Sequence, residues 1–277
     1  MFQKSRFIAV VIGIIGLVLM VGACQSAAKP PEVTITAKEY AFEVPESIGG
    51  GVVAVKLSNT GKEPHMAQLI RLNDGVTFDQ LQAALQAGDP GAALSLVSVA
   101  GGIYTTPPGA AQAATLDLKA GDYAVMDFGA GEDQVPYMVK GMLQPFKVTA
   151  GSSSAEPASD VAVTLKEYTF EVPTELKAGT HTFKVSNQGA QPHEMLLLKL
   201  AEGKTMADVQ AALSNPESGG PPPGDMVGGA LAIGPGMRSW TTLELTPGNY
   251  VAICFIPDSG DGKSHLEHGM MMPIKVN

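Results

Sequence analysis

Short apolar runs interrupted by polar residues set the rhythm of this chain. Residues 33–36 (VTIT), 51–57 (GVVAVKL) and 113–118 (AATLDL) are strand-favouring stretches bounded by Gly, Pro or Asn, a pattern that predicts half-buried β-strands. Residues 161–165, 180–185 and 240–245 read the same way. Two stretches change to a helical period. Thr77 with Gln80 three residues on makes a capping-box pattern ahead of Leu81, Ala84 and Leu85, and Thr205 with Asp208 precedes Val209, Ala212 and Leu213. These predict one short helix near 77–87 and another near 205–214. Further on, Tyr250, Ala252 and Cys254 alternate onto one face of a strand.

The two sets of elements are copies of each other. Residues 38–45 (KEYAFEVP) recur as 166–173 (KEYTFEVP), a shift of 128 that also carries Ser58-Asn59 onto Ser186-Asn187 and Pro64-His65 onto Pro192-His193. The steps from Leu118 to Tyr123 and from Leu245 to Tyr250 have the spacing of tyrosine corners, which pin Greek-key sandwiches. A period this long predicts a tandem pair of domains. The expectation is an all-β protein of two Greek-key β-sandwiches with shared strand order, each with one short inserted helix and no sheet running through both. The expected boundaries are a first domain at 33–150, a polar linker at 151–159 and a second domain at 160–277.

Composition fits this reading: 45% hydrophobic residues mark a globular chain, and 32 Gly with 20 Pro predict frequent turns. The N-terminus is different. Lys4 and Arg6 precede an uncharged apolar run over residues 7–23, the n-region and h-region of an export signal. Val21-Gly22-Ala23-Cys24 resembles the lipobox of bacterial lipoproteins. That resemblance implies a signal peptide at 1–23, a lipid anchor on Cys24, a tether over 24–32 and a place at the extracytoplasmic face of a membrane, periplasmic or cell-surface. A permanent transmembrane anchor is the alternative. Removing residues 1–23 leaves 16 basic against 27 acidic residues, a net charge of −11, which disfavours nucleic acid as a partner. It also leaves Cys254 without a disulfide partner if Cys24 is acylated. Burial or metal ligation would account for such a thiol.

Candidate chemistry gathers between Tyr250 and Met272, where Cys254, His265, His268, Met270, Met271 and Met272 stand close together. Thiolate, imidazole and thioether form a soft donor set that suits copper. The order His193, Cys254, His265, Met270, with Tyr250 four residues before the cysteine, resembles the ligand order of the cupredoxins, the blue-copper electron carriers. That resemblance implies cupredoxin-like domains with one copper in the second, held by His193, Cys254 and His265 with Met270 as the axial contact. It departs from the family in the loop PDSGDGKS, since ten residues separate Cys254 from His265 where small members have a much shorter turn. The first copy carries Asp127 and Tyr137 at the Cys254 and His265 positions and keeps only His65 and Met142. It reads as a degenerate copy without a metal site. An alternative copper set is His265 and His268 with Met270, Met271 and Met272.

Five histidines with no His-x-His pair argue against the second copper sites of copper oxidases and nitrite reductases, so the expectation is a non-enzyme. Gly262-Lys263-Ser264 lacks the upstream glycine of a phosphate loop, and Asp258 with Asp261 lacks the later Glu of a calcium loop. Two functions remain. One is electron transfer or copper handling with a redox or copper-donor protein as partner. The other is a metal-free binding module that presents residues 214–238 and 256–268.

Overall fold

The computed structural model describes residues 29–88, 90–151, 155–214 and 222–277. Signal residues 1–23, the lipidation candidate Cys24, tether residues 25–28 and linker residues 152–154 lie outside this description.

The first half runs β1 (Glu32–Lys38), β2 (Ala41–Glu43), β3 (Ser47–Gly49), β4 (Gly51–Asn59), β5 (His65–Leu72), α1 (Phe78–Gln86) and α2 (Pro90–Ser95). It continues with β6 (Val97–Thr106), β7 (Ala111–Leu118), β8 (Gly121–Met126), α3 (Tyr137–Lys140) and β9 (Leu143–Thr149). The second half begins with β10 (Val161–Lys166), β11 (Thr169–Glu171), β12 (Glu175–Leu176), β13 (Gly179–Asn187), β14 (His193–Leu200) and α4 (Met206–Ser214). It ends with β15 (Gly224–Ile233), β16 (Arg238–Leu245), β17 (Gly248–Ile253) and β18 (Met271–Val276). The fold is all-β, built as cupredoxin-like sandwiches.

The strand order is shared by the halves, but their sheets are not separate. One eight-stranded sheet runs β11-β10-β13-β16-β7-β4-β1-β2, and one ten-stranded sheet runs β12-β18-β17-β14-β15-β6-β5-β8-β9-β3. Each sheet crosses the boundary between equivalent strands, β16 against β7 and β15 against β6. The expectation that no sheet runs through both copies is therefore corrected. Pairing equivalent strands antiparallel is what a two-fold arrangement of two like units gives, and it covers the edge strands that separate sandwiches would leave open.

The sequence reading missed β6 and β15, and took 214–238 for a presented segment, of which residues 215–221 lie outside the described residues. The glycine pairs within these strands are the reason. A Cβ on Gly229 would lie 2.1 Å from the Met195 carbonyl oxygen, and one on Gly102 would lie 2.1 Å from that of Ala67. Close approach between neighbouring strands at an irregular register demands glycine there, so residues that read as loop sit inside the sheet. The first half also differs from expectation in holding three helices, not one. The extra α3 is a single turn that closes on Met142, with the Met142 amide donating to the Tyr137 carbonyl at 2.9 Å.

The predicted caps and corners form. Thr77 and Gln80 make a reciprocal capping box on α1, and the Thr205 amide donates to Asp208 at 2.8 Å before α4. Tyr123 donates its hydroxyl to the Lys119 carbonyl at 2.9 Å and Tyr250 to that of Thr246 at 2.8 Å. Each half has its own core, one around Leu57, Leu116 and Val125 and the other around Phe183, Val185 and Leu197, with Met237 packed against both. Full burial of each such side chain stabilises the fold by about 1.5–3 kcal/mol. At the junction Arg238 pairs with Asp117 at 2.6 Å and with Glu156 of the linker.

Candidate metal centre

His193 opens β14 from a turn that Asn187 holds rigid. The Asn187 amide nitrogen donates to the carbonyls of Gln191 at 2.7 Å and Ile233 at 2.8 Å, and its oxygen accepts the Gly189 amide at 2.8 Å. Cys254 follows the last residue of β17 and is fully buried, as are His193, His265 and Met270. The alternation predicted from Tyr250 holds, with Tyr250, Ala252 and Cys254 all inside the second core. Cys254 Sγ accepts the Glu194 amide at 3.5 Å.

The long loop after Cys254 folds back and does not carry His265 away. Asp258 anchors it by accepting from Tyr168 Oη at 2.6 Å, Gln191 Nε2 at 2.7 Å and the amides of Gly260 at 2.7 Å and Asp261 at 3.1 Å. These bonds hold its carboxyl far below the usual carboxylate range, the Tyr168 hydroxyl first among the causes. Pro257 and Ser264 bridge across the loop, and the His265 amide donates to Ile256 at 2.8 Å. One turn later the Met270 amide donates to the His265 carbonyl at 2.8 Å, while the Cys254 amide donates to Met270 at 3.3 Å. The backbone thus ties Cys254, His265 and Met270 into one unit.

The structure brings His193, Cys254 and His265 together, with one donor atom from each all lying within 4.8 Å of one another. Cys254 Sγ is 3.5 Å from His265 Nδ1, and the two imidazole centroids are 4.5 Å apart. An ion held at about 2.0 Å from nitrogen and about 2.3 Å from sulfur, with a bond angle of about 110–120°, sets those two atoms about 3.5–3.7 Å apart. The protein separation matches. Both nitrogens of His193 and Nε2 of His265 are buried without a hydrogen-bond partner, a costly arrangement unless something accepts their lone pairs. Burial, then the neighbouring His193, pushes His265 down to about 4, and burial also lowers His193. Both rings are therefore neutral donors at pH 7. Burial, then the Glu194 carboxyl, pushes the Cys254 thiol up to about 12, so it ligates only where a cation displaces its proton. This donor set fits copper.

The first half shows what the same scaffold does without the cysteine. His65 Nδ1 lies 2.9 Å from Asp127 Oδ2, which also accepts the Met66 amide at 3.2 Å, as Cys254 Sγ accepts that of Glu194. The Tyr137 ring stands edge-on to His65 at 4.8 Å, in the place of His265. A hydrogen-bonded pair and a phenol ring fill the centre. His65 Nε2 lies 3.9 Å from Glu39 and His193 Nε2 lies 3.7 Å from Glu167. By this equivalence Nδ1 of His193 faces the cysteine and Glu167 faces its other nitrogen. Glu167 was visible in the repeated KEY motif but carried no signal of proximity to histidine. Glu194 was missed because its counterpart is Met66.

The members of the alternative set have neighbours of their own. His268 Nε2 lies 3.1 Å from Asp261 Oδ1 and its ring stacks on Tyr168 at 4.6 Å. Met271 packs into a peripheral cluster with Leu198 and Val251, whereas Met272 packs against the second core, as adjacent strand residues must. His181, the remaining histidine, lies 2.5 Å from Asp160 at the surface.

No family model and no curated protein matches the chain. Among solved structures it is similar to an auracyanin from the photosynthetic bacterium Roseiflexus castenholzii, at 25% identity and TM-score 0.29, covering 42% of this chain and 94% of that one. It is similar to a multicopper oxidase at 14% identity and TM-score 0.26, covering 89% of this chain and 88% of that one. A copper-containing nitrite reductase from Thermus scotoductus SA-01 matches at 10% identity and TM-score 0.26, over 90% of this chain and 62% of that one. The expectation of a non-enzyme is corrected on this point, because the structures matched along most of the chain include copper enzymes.

Proposed function

We propose that this protein binds one copper ion in its second half, through His193, Cys254 and His265 with Met270 as a weak axial contact, and uses it for electron transfer or copper handling. The observation that carries this reading is the convergence of three buried donors, with both His193 nitrogens and His265 Nε2 making no hydrogen bond. Copper would supply a one-electron couple there. The chain's own contribution is rigidity. The Asn187 turn fixes His193, the Asp258 loop fixes His265, and the bond between Cys254 and Met270 fixes both sulfur donors, so little rearrangement accompanies a change of charge. The first half, over 33–150, serves as a metal-free scaffold for the second, over 160–277. A redox protein or copper donor is the partner. Export by residues 1–23 and lipid attachment at Cys24 place the chain on the extracytoplasmic face of a membrane.

The purified chain is expected to take up one copper per molecule and to show an intense visible thiolate-to-copper band. Cys254→Ala should remove the band, whereas His65→Ala should leave it in place. A native chain that stays colourless with excess copper defeats the proposal and leaves a metal-free binding module.

A further inference from the structure

Glu167 reaches the metal centre from outside it. It stands in the turn between β10 and β11, where the repeated KEY motif places Glu39 in the first half. Its side chain is 40% exposed, yet Oε1 turns inward and lies 3.7 Å from Nε2 of the fully buried His193. The same oxygen accepts the amide of Ala190 and, at 3.3 Å, that of Gln191. Among the described residues no hydrogen bond reaches Nε2. Gly189 passes over the pair: a Cβ there would lie 2.6 Å from Glu167 Oε1 and 2.8 Å from His193 Nε2. Only glycine lets the carboxylate face the imidazole edge across this turn, so the approach is built into the local fold.

A separation of 3.7 Å exceeds a hydrogen bond, and electrostatics governs it. A neutral imidazole carries one N–H and one lone pair. An N–H at Nε2 is attracted to the carboxylate, whereas a lone pair there is repelled. Glu167 therefore favours the proton on Nε2, which leaves the Nδ1 lone pair for the centre. The first half supplies the contrast. His65 Nε2 lies 3.9 Å from Glu39, but Asp127 Oδ2 takes the Nδ1 proton at 2.9 Å. The nearer carboxylate thus occupies the nitrogen that a metal would need. With Cys254 in place of Asp127, the second half lacks that competitor and leaves Glu167 to decide.

We propose that Glu167 is a positioning residue for copper. It holds His193 as the Nε2–H tautomer with Nδ1 free to ligate, and its charge favours Cu(II) over Cu(I). The second part rests on the copper reading above, while the tautomer is a property of the metal-free chain. A carboxylate behind a ligating imidazole raises the basicity of that ligand, and a negative charge stabilises the more highly charged ion more strongly.

Two substitutions separate this role from bracing the turn. Glu167→Gln keeps an oxygen for the Ala190 and Gln191 amides and removes the charge. Glu39→Gln makes the same change in the half without the cysteine. In the metal-free native chain, long-range 1H–15N NMR should show the His193 proton on Nε2, and Glu167→Gln should shift the population towards Nδ1–H. In the loaded chain Glu167→Gln should weaken Cu(II) binding by about tenfold or more, with a smaller loss for Cu(I), and so raise the reduction potential. A tenfold loss confined to Cu(II) corresponds to about 59 mV. Glu39→Gln should change none of these. A native His193 with its proton on Nδ1 overturns the proposal. So does a Glu167→Gln chain with native tautomer, affinity and potential, which is what a brace alone would give. A native chain that binds no copper defeats the copper reading, and the tautomer comparison then decides this inference by itself.

Discussion

Installing the missing ligands in the first half tests the reading of both halves at once. The double substitution Asp127→Cys with Tyr137→His keeps His65 and Met142 and should create a second copper centre. The geometry is already close. His65 and Tyr137 ring centroids are 4.8 Å apart against 4.5 Å for His193 and His265. The amide of residue 127 donates to Met142 at 3.1 Å, where Cys254 donates to Met270 at 3.3 Å, and Met142 donates to residue 137 at 2.9 Å, where Met270 donates to His265 at 2.8 Å. Without metal the variant loses the buried His65–Asp127 bond, about 1–3 kcal/mol, and much of the Tyr137 ring, about 1.5–3 kcal/mol. The apo variant should therefore melt well below the native chain. Free copper at a thousand times the dissociation constant returns about 4 kcal/mol, enough to restore most of the deficit. Copper stoichiometry, the visible band and calorimetric melting with and without copper measure the outcome. Two coppers per chain, a doubled band and a copper-dependent recovery of Tm are expected. A folded variant that still binds a single copper refutes the claim that two side chains separate an empty scaffold from a centre.

Asp258→Asn should speed copper loss to a chelator by about tenfold or more, because Asn presents N–H groups where the Tyr168 and Gln191 donors now find carboxylate; an unchanged rate would show that the loop does not hold His265. The lowered Asp258 pKa also sets a sign for the metal-free chain. Its contribution is present above the unfolded value of about 4 and fades as pH falls towards the folded value. Asp258→Asn should thus flatten part of the acid limb of a denaturation series. For the anchor, Cys24→Ser should abolish incorporation of labelled lipid, and a variant that still takes up label would remove Cys24 as the site.

Local pattern carries part of this account. A capping box needs only Thr77 and Gln80, and a tyrosine corner needs only Tyr123 or Tyr250 and the carbonyl four residues upstream, so both are written in a few neighbouring residues. The soft donors were visible for the same reason, since the chemistry of Cys254, His193 and His265 belongs to their side chains wherever they sit. The asymmetry between copies added the contrast with Asp127 and Tyr137.

What the chain does over long range was decided by tertiary structure. Loop length alone left open whether His265 returns to Cys254, because that depends on Asp258 meeting Tyr168 and Gln191, which lie 90 and 67 residues away. The junction strands were hidden because Gly102 and Gly229 signal flexibility locally yet are required by the close approach of a neighbouring strand. Fusion of the sheets follows from β6 meeting β15 and β7 meeting β16. The sequence by itself determined the repeat, the strand-rich character and the identity of the donors, because each is a property of a residue and its near neighbours. Only the tertiary structure decided which donors converge and how the two halves share their sheets, because those depend on contacts between segments that no local pattern relates.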